Sequence, residues 1–510
     1  MAIIRAPQVL LGDALVDDAW VEFDAGRIVA TGTGAHPQAA TGVTTLSEGV
    51  LAPGLIDAQL NGAFGTDLVD ADDAAWDEVL LRLPGTGVTA VVPTFITAPI
   101  EQLVAALRAA RPRVQAARVA PPRDRARVIG VHVEGPFLAH DRRGAHDPTH
   151  LRNPEPAAID ALLAAAGDAL SYLTLAPERT GALDAIHRLV GHGVRVAVGH
   201  SDATDAQVRA AADAGATLVT HLYNAQRGLG HRDPGVVGAA LTDRRLTAGL
   251  IVDLHHVAPT AVEVAFAAAG GRIMLVTDAI AALGMPPGTY QLGGAAITIR
   301  AGAPPVRADG TIAGSALRLD EAVANTIACG VDPVTTLLAA TRVPADALGR
   351  TDLGRLAPGL PADLVWLGDD WRTRASWIGG RPVATSFDPP PEATTGPTAA
   401  DTHVARTTPD APTIPTAAGT VAAGWFAWLA KRAQHRSPET VAGGYSRLVD
   451  DMRRELERVA ARVQQLEEEK SHQRDRIQCL ERKLSWLTDR ISDDDRADYE
   501  EAFPRRHDHG

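Results

Sequence analysis

The sequence of 510 residues predicts an α/β protein with three parts: a (β/α)₈ TIM-type barrel, a small β-sandwich domain formed from both flanks of the barrel, and a C-terminal coiled-coil helix. Over residues 51–349, apolar strand-like runs alternate with helical stretches rich in Ala, Leu and Val, an order typical of a closed parallel barrel. Short runs of alternating apolar and polar residues precede and follow this region. Near the C-terminus, apolar residues recur at alternating spacings of three and four.

The two flanks of the barrel predict one small sheet domain. Residues 1–50 contain VLLGDALVDDAWVEFDAGRIVATG, in which short apolar strands, expected to be antiparallel, are separated by turn signals. Residues 350–385 repeat this pattern in GRLAPGLPADLVWLGDDWRTRASWIGGRPV. We therefore expect strands from both ends of the barrel region to pair in a single β-sandwich.

The composition changes beyond the second flank. Residues 386–416 are rich in Pro, Thr and Ala and predict a disordered linker. Residues 417–436 include AAGTVAAGWFAWLA, which is shorter than the ~18 to 20 residues of a membrane-spanning helix and predicts a short apolar helix. Residues 492–510 predict an acidic disordered tail.

Residues 445–491 predict a parallel coiled coil. The seam runs in strict three-four alternation from Val449 to Ile491, with β-branched residues recurring at a positions and Leu frequent at d positions, which favours a homodimer. In that register the facing g and e residues are complementary in charge: Arg462 with Glu467, Glu469 with Arg474, and Arg476 with Glu481. Lys470 and Gln473 form a polar layer that would fix the register. The alternative is a single solvated helix.

Charge and cysteine content exclude several classes of protein. The formal net charge is -13, and without a concentrated basic surface the chain is not expected to bind nucleic acid. Its two cysteines, Cys329 and Cys479, are far apart and predict no disulfide framework, which fits a cytoplasmic protein. The first residues, MAIIRAPQVLLGD, do not form a signal peptide, so no export is expected. No membrane partner is expected either.

Polar side chains follow five of the predicted barrel strands at the point where each strand ends. Because the carboxyl ends of barrel strands converge on one face, we expect these side chains to lie close together. The runs are GLIDAQLN, VIGVHVEG, VRVAVGHSD, ATLVTHLYNA and RIMLVTDA.

Each of these side chains taken singly has an ordinary structural interpretation. Glu134 could be a buried carboxylate paired with an arginine, and His200 and His221 could be satisfied core histidines. Asp278 could cap a helix, as aspartate after a strand often does. Single matches of this kind do not establish a site.

Taken together, the strand-end residues predict a metal-dependent hydrolase. One carboxylate and two imidazoles are the ligand set that zinc or a similar divalent ion takes, with an open position for water. Such an ion lowers the pKa of bound water from about 15.7 to about 7. A further carboxylate can then move the protons. Metal-assisted hydrolysis is the chemistry that this set predicts.

A larger set of motifs extends in order from residue 1 to about residue 385. They are PGLIDAQLNG, HVEGPFL followed by RRGAH, GHSDA, THLYNA followed by HRDPG, DLHHV, LVTDA, GTIAGSAL and GRLAPGLPADLV. Through them the chain resembles the amidohydrolase superfamily, and more closely its N-acetylglucosamine-6-phosphate deacetylase branch. This resemblance implies a barrel enzyme that works with one divalent ion per subunit, zinc being favoured, and a homodimer formed through the barrel as well as the coiled coil.

The first barrel strand departs from the superfamily pattern. A His-x-His pair usually stands there, whereas this chain has Gln59-x-Asn61. Carboxamides bind zinc poorly, so the resemblance implies one ion, held by Glu134, His200 and His221. The two amides are expected to line the pocket in place of a second metal and to hydrogen-bond water or substrate.

The resemblance also assigns roles to single residues. Asp278 would take a proton from water and then protonate the leaving amine. Arg232 and His256 would bind a phosphate, and the residue at the His256 position would reach across a dimer interface. For Arg232 an ordinary surface salt bridge is the alternative. All the substrate contacts implied are Ala145, His146, Asn224, Ala225, Arg232, His256, Ile312, Ala313 and Gly314.

The function expected from the resemblance is hydrolysis of N-acetylglucosamine 6-phosphate to glucosamine 6-phosphate and acetate, in amino-sugar catabolism. Alternatives are a deacetylase of a related N-acyl sugar phosphate, such as N-acetylgalactosamine 6-phosphate, or an amidohydrolase of another N-acyl compound, because the barrel alone does not select a substrate. A third alternative is a catalytically weak scaffold dimerised by its coiled coil, against which the complete ligand set argues.

Overall fold

The computed structural model describes residues 2–35 and 43–383. The predicted linker, short apolar helix, coiled coil and acidic tail (386–416, 417–436, 445–491 and 492–510) lie outside the described residues and stay predictions. None of the helices within the described ranges combines the length and the hydropathy that crossing a bilayer requires.

The described residues of the N-terminal flank form five strands. They are β1 (Ala2–Leu11), β2 (Ala14–Asp24), β3 (Arg27–Thr33), β4 (Val43–Thr45) and β5 (Val50–Pro53). β1 pairs antiparallel with β2 through a turn at Gly12, whose φ of +63° suits glycine. β2 continues antiparallel to β3, while β4 and β5 run parallel to β1. The strands of this flank are those that its alternating pattern predicts, but the expectation that they are all antiparallel is wrong, because β4 and β5 run parallel to β1.

Eleven further strands follow, eight of which form the barrel. They are β6 (Leu55–Leu60), β7 (Gly62–Ala63), β8 (Thr66–Asp67), β9 (Val88–Ile96), β10 (Arg127–Val128), β11 (Val131–Glu134), β12 (Leu170–Leu175), β13 (Arg195–Val198), β14 (Leu218–Val219), β15 (Thr247–Leu250) and β16 (Ile273–Leu275). The barrel strands pair in parallel in the order β6-β9-β11-β12-β13-β14-β15-β16. Their nearly continuous apolar sequences suit strands that are covered on both faces.

The first and last barrel strands meet just beyond their regular ends. The backbone N–H of Asp278 donates to the carbonyl of Gln59 over 2.9 Å, and that of Asn61 donates to the carbonyl of Ala279 over 2.8 Å. These bonds nearly close the parallel sheet into the predicted eight-stranded barrel. Residues separated by more than 200 positions in the sequence thereby become neighbours.

The last five strands are a hairpin and the returning flank. They are β17 (Gly288–Leu292), β18 (Ala295–Ile299), β19 (Leu364–Leu367), β20 (Thr373–Ile378) and β21 (Arg381–Val383). β19 pairs antiparallel with β5, which joins the two flanks in one sheet of order β21-β20-β19-β5-β1-β2-β3. The sheet domain from both flanks is thus confirmed. Because its strands belong to one hydrogen-bonded sheet, the two layers expected of a sandwich are not separate sheets.

The barrel region also contains helices. They are α1 (Asp73–Arg82), α2 (Ile100–Val119), α3 (Pro156–Ala166), α4 (Ala182–Gly191), α5 (Asp205–Asp213), α6 (Gly235–Thr242), α7 (Pro259–Ala269), α8 (Leu319–Ala328), α9 (Pro333–Ala340) and α10 (Arg342–Ala347). The helices α1 to α7 connect successive barrel strands, and α8 to α10 lie between the hairpin and the returning flank. Several carry clear start signals: in α5, Thr204 and Gln207 form a capping box. The buried faces of the helices and strands share one continuous apolar core.

Asp57 is a buried carboxylate on β6 that ties this strand to the end of β16. It is 1% exposed, and its Oδ2 accepts a 2.6 Å hydrogen bond from the Thr277 hydroxyl. Its Oδ1 accepts from the backbone N–H groups of Gln59 and Thr277. Burial raises the pKa of Asp57 from 3.8 to about 7, although these hydrogen bonds favour the charged form.

This raised pKa predicts a pH-dependent stability. Between pH 3.8 and about 7 the native state holds a proton on Asp57 that the unfolded chain has lost. The free energy of unfolding therefore falls as pH rises through this window, by about 4 kcal/mol at most from this group. In Asp57→Asn the group no longer titrates, so the melting temperature of the variant relative to wild type should rise between about pH 5 and about pH 8. Thermal unfolding at both pH values measures this, and a pH-independent difference would contradict it.

Candidate metal centre

Four side chains converge at the carboxyl end of the barrel. Glu134 is the last residue of β11, His200 and His221 lie just beyond β13 and β14, and Asp278 follows β16. All four are buried, between 2% and 8% exposed. The strand-end pattern therefore identified residues that the fold brings together.

Glu134, His200 and His221 direct one atom each at a common point. Oε1 of Glu134 lies 3.1 Å from Nε2 of His200 and 2.9 Å from Nε2 of His221, and the two Nε2 atoms are 3.0 Å apart. Within the part of the chain that the structure describes, this is the one group of acidic, imidazole or thiol side chains arranged to hold a metal ion. A carboxylate with two imidazoles matches the ligands of zinc and similar divalent ions.

The hydrogen bond on the far side of His200 supports this interpretation. Nδ1 of His200 lies 2.9 Å from the carbonyl oxygen of Arg142, which can only accept, so Nδ1 carries the proton. In the neutral ring Nε2 then presents its lone pair to Oε1 of Glu134 and Nε2 of His221. Such a concentration of lone pairs is favourable around a cation, so these three residues fit a divalent metal.

The pKa values of Glu134 and His221 are shifted by the contact between the two side chains. Burial opposes ionisation of Glu134, but the adjoining imidazoles of His200 and His221 hold its pKa well below the usual value. Burial lowers the pKa of His221, yet the adjoining Glu134 carboxylate outweighs it and raises the value to about 8. The carboxylate is thus held in the ionised form that metal binding requires.

The backbone is unusual at three of these positions. His200, His221 and Asp278 have φ angles of +48°, +27° and +50°, in the left-handed region that residues other than glycine rarely adopt. Such conformations cost about 1 to 3 kcal/mol each and persist where the surroundings enforce them. Here Glu178 contributes, because its carboxylate accepts from the hydroxyl of Ser201 and the backbone N–H of Asp202 immediately after His200.

Asp278 is linked to the two amides of the first strand. Its Oδ1 accepts from Nδ2 of Asn61 over 2.7 Å and from Nε2 of Gln59 over 3.1 Å. Burial, followed by the nearby charge of Glu134, raises the pKa of Asp278 to about 6. A carboxylate with a pKa near neutrality can both accept and return a proton at physiological pH.

A cavity of about 420 Å³ opens above this group. It has room for a small organic molecule, and its wall includes polar and apolar side chains. Most of the expected substrate contacts line it: Ala145, His146, Asn224, Ala225, His256, Ile312 and Gly314. The hairpin region contributes Leu292, Thr311 and Ile312, so this insertion forms one side of the cavity.

Three expected pocket residues lie elsewhere. Arg232 is exposed and does not line the cavity. Ala313 is fully buried in a small apolar cluster with Ile280 and Leu292 and does not line the cavity. Of the two amides, Asn61 lines the cavity, whereas Gln59 lies behind Glu134 and Asp278.

Two histidines in the cavity wall have well-defined partners. Nδ1 of His146 lies 2.8 Å from the Thr97 hydroxyl, and burial lowers the pKa of His146 well below its usual value, so the ring is neutral. His256 is oriented by Asp253, whose carboxylate lies 2.7 Å from its Nδ1 and also accepts from its backbone N–H. The Nε2 atom of His256 is thereby left for a ligand.

Sequence reasoning missed several supporting residues. Arg142 orients His200 through its carbonyl and lines the cavity, while Glu178 and Asp253 hold the segments that carry His200 and His256. Glu178 follows β12 and Asp253 follows β15. The search for polar side chains at the ends of barrel strands, which found the predicted ligands, could therefore also have found these two carboxylates. The carbonyl of Arg142 gives no signal in the sequence.

Known proteins resemble this chain over most of the described residues. The model of the amidohydrolase family matches residues 50–383. The N-acetylgalactosamine-6-phosphate deacetylase of Escherichia coli O157:H7 is 38% identical over 382 residues, which cover 74% of this chain and 98% of that protein. The N-acetylglucosamine-6-phosphate deacetylase of Vibrio furnissii is 37% identical over 385 residues, covering 74% of this chain and 94% of that protein.

A solved structure extends the likeness to the fold. A mutant N-acetyl-D-glucosamine-6-phosphate deacetylase from Mycobacterium smegmatis, in complex with N-acetyl-D-glucosamine-6-phosphate, superposes with a TM-score of 0.70 at 36% identity. The match covers 75% of this chain and 98% of that one. The resemblance inferred from the motifs is therefore confirmed by sequence and by fold.

Proposed function

This chain belongs to the amidohydrolase family, and on that basis we propose that it hydrolyses N-acetylglucosamine 6-phosphate to glucosamine 6-phosphate and acetate. The observation that carries the proposal is the convergence of Glu134, His200 and His221 on one point, with Asp278 in the wall of the same cavity. These are the groups that hydrolysis of an amide C–N bond needs: a site for a Lewis acid and a carboxylate that moves protons.

The residues divide the chemistry between them. A divalent ion held by Glu134, His200 and His221 would polarise the acetamido carbonyl and lower the pKa of the attacking water. Asp278 takes a proton from that water on Oδ2 and then gives it to the nitrogen of the sugar as the C–N bond breaks. Its pKa of about 6 suits both steps.

The phosphate is the part of the substrate that we assign to His256 and Arg232. His256 lines the cavity and is backed by Asp253, so a proton on Nε2 can face a phosphate oxygen. Arg232 carries an exposed guanidinium that can form a bidentate contact. We also propose that a second subunit completes this end of the cavity, consistent with the barrel and coiled-coil homodimer predicted from the sequence. Zinc as the native ion and a cytoplasmic location stay predictions.

A substrate panel tests the function. Purified protein should release acetate from N-acetylglucosamine 6-phosphate with a kcat/KM at least about 100-fold above that for unphosphorylated N-acetylglucosamine, because the charge-assisted contacts to phosphate are lost. N-acetylgalactosamine 6-phosphate is the second candidate, since a relative with that name is 38% identical. A higher kcat/KM on the galactosamine epimer would reverse the substrate assignment. No acetate from either sugar phosphate would overturn the proposal.

A further inference from the structure

Gln59 and Asn61 stand where the family pattern has two imidazoles, and their amide groups face carboxylates. Nε2 of Gln59 donates to Oε2 of Glu134 over 3.2 Å and to Oδ1 of Asp278 over 3.1 Å. Nδ2 of Asn61 donates to the same Oδ1 over 2.7 Å. Because an ionised carboxylate only accepts hydrogen bonds, the NH₂ end of each amide is the end that must face it.

The Gln59 amide lies between two like charges. Glu134 and Asp278 are both buried, and the charge of Glu134 disfavours ionisation of Asp278. One NH₂ group has two hydrogens, so it can donate one to each carboxylate and reduce their repulsion without adding net charge. A cation between the two carboxylates would reduce their repulsion in the same way. Neutral amide donors can therefore occupy the two positions at which the family pattern has imidazoles.

The two oxygens of Asp278 have different surroundings. Oδ1 accepts both amide hydrogen bonds, whereas among the described residues no donor reaches Oδ2. Asp278 also lines the cavity, so one oxygen is held and the other is available to a ligand. This asymmetry rests on the backbone bonds that join the first and last barrel strands at Gln59 and Asn61.

We propose that Gln59 and Asn61 are positioning residues that form a carboxamide clamp, which holds Oδ1 of Asp278 and bridges it to Glu134 so that Oδ2 alone exchanges the proton. The clamp stands at the position that the family pattern gives to a second cation. This inference rests on the proposed function, because it gives Asp278 its proton-transfer role.

Gln59→Met is the sharpest test, since it keeps the chain length, removes the donor and lies out of contact with the cavity. The expected result is a kcat lowered about 10- to 100-fold by the loss of a hydrogen bond between two charged groups, with KM within about twofold of wild type. Elemental analysis should still find one metal ion per subunit. Asn224→Leu is the matched comparison: it removes a carboxamide that lines the cavity without contacting Asp278, so its effect should fall mainly on KM.

Several outcomes would overturn the clamp. They are an unchanged kcat in Gln59→Met, an effect confined to KM, or a loss of turnover that follows loss of the metal. If Gln59→Met does not fold, Asn61→Leu replaces it with kcat and metal content as the criteria, because Asn61 lines the cavity and its loss also affects KM. The double variant Gln59→His with Asn61→His should take up a second ion, and a metal content that stays at one would contradict the replacement of a cation. Metal content is measured without turnover, so this test of the clamp does not depend on activity. A wild-type protein inactive on both sugar phosphates would instead refute the proposed function.

Discussion

Replacing Asp278 with asparagine should lower kcat by about 10²- to 10⁴-fold, the range that general acid–base catalysis contributes. The asparagine keeps the size of the side chain but cannot take up the proton that Oδ2 accepts in the proposed reaction. Metal content should stay at that of wild type, because Glu134, His200 and His221 are untouched. Steady-state acetate release together with elemental analysis measures both quantities.

Asp184→Asn is the matched control for this variant. Asp184 is exposed in the first turn of α4, away from the cavity, so the same chemical change there should leave kcat unaltered. A kcat of Asp278→Asn within about tenfold of wild type, in metal-replete protein, would remove Asp278 from the proton-transfer role.

Replacing Glu134 with glutamine should largely abolish metal binding. The carboxylate is the sole anionic member of the predicted ligand set, and a neutral amide is a poor ligand for zinc. We expect the metal affinity to fall more than about 100-fold, beyond the 10- to 100-fold that loss of a supporting partner costs. Calorimetric titration of metal into the stripped protein measures this directly, and acetate release should fall in parallel.

An exposed glutamate provides the comparison. Glu101 lies in the first turn of α2, and Glu101→Gln should bind metal as wild type does. If Glu134→Gln retained one tightly bound ion per subunit, the assignment of the three ligands would be wrong, whatever its effect on turnover.

The sequence predicted the parts of this protein that depend on local pattern. Alternating strands and helices indicated the barrel, and a polar residue at each strand end identified Glu134, His200, His221 and Asp278. The fold then brings these ends together without any further information from the sequence, because carboxyl ends of parallel strands share one face.

Other features depend on contacts that no local pattern encodes. Gln59 and Asn61 contact Asp278. They lie at the end of the first barrel strand and Asp278 follows the last one, so only closure of the barrel makes them neighbours. The hairpin that covers one side of the cavity interrupts the strand-helix alternation and was not expected. Which residues of one loop line the cavity also depends on tertiary packing: Ala313 is buried in an apolar cluster, whereas its neighbours Ile312 and Gly314 line the cavity.

Closure between the ends of β6 and β16 has a consequence for the order in which the centre is assembled on the ribosome. The three proposed metal ligands all lie at or before residue 221, whereas Asp278 follows later in the chain and meets the first barrel strand only when the barrel closes. The proposed proton-transfer group therefore cannot take its place until the last barrel strand has been synthesised.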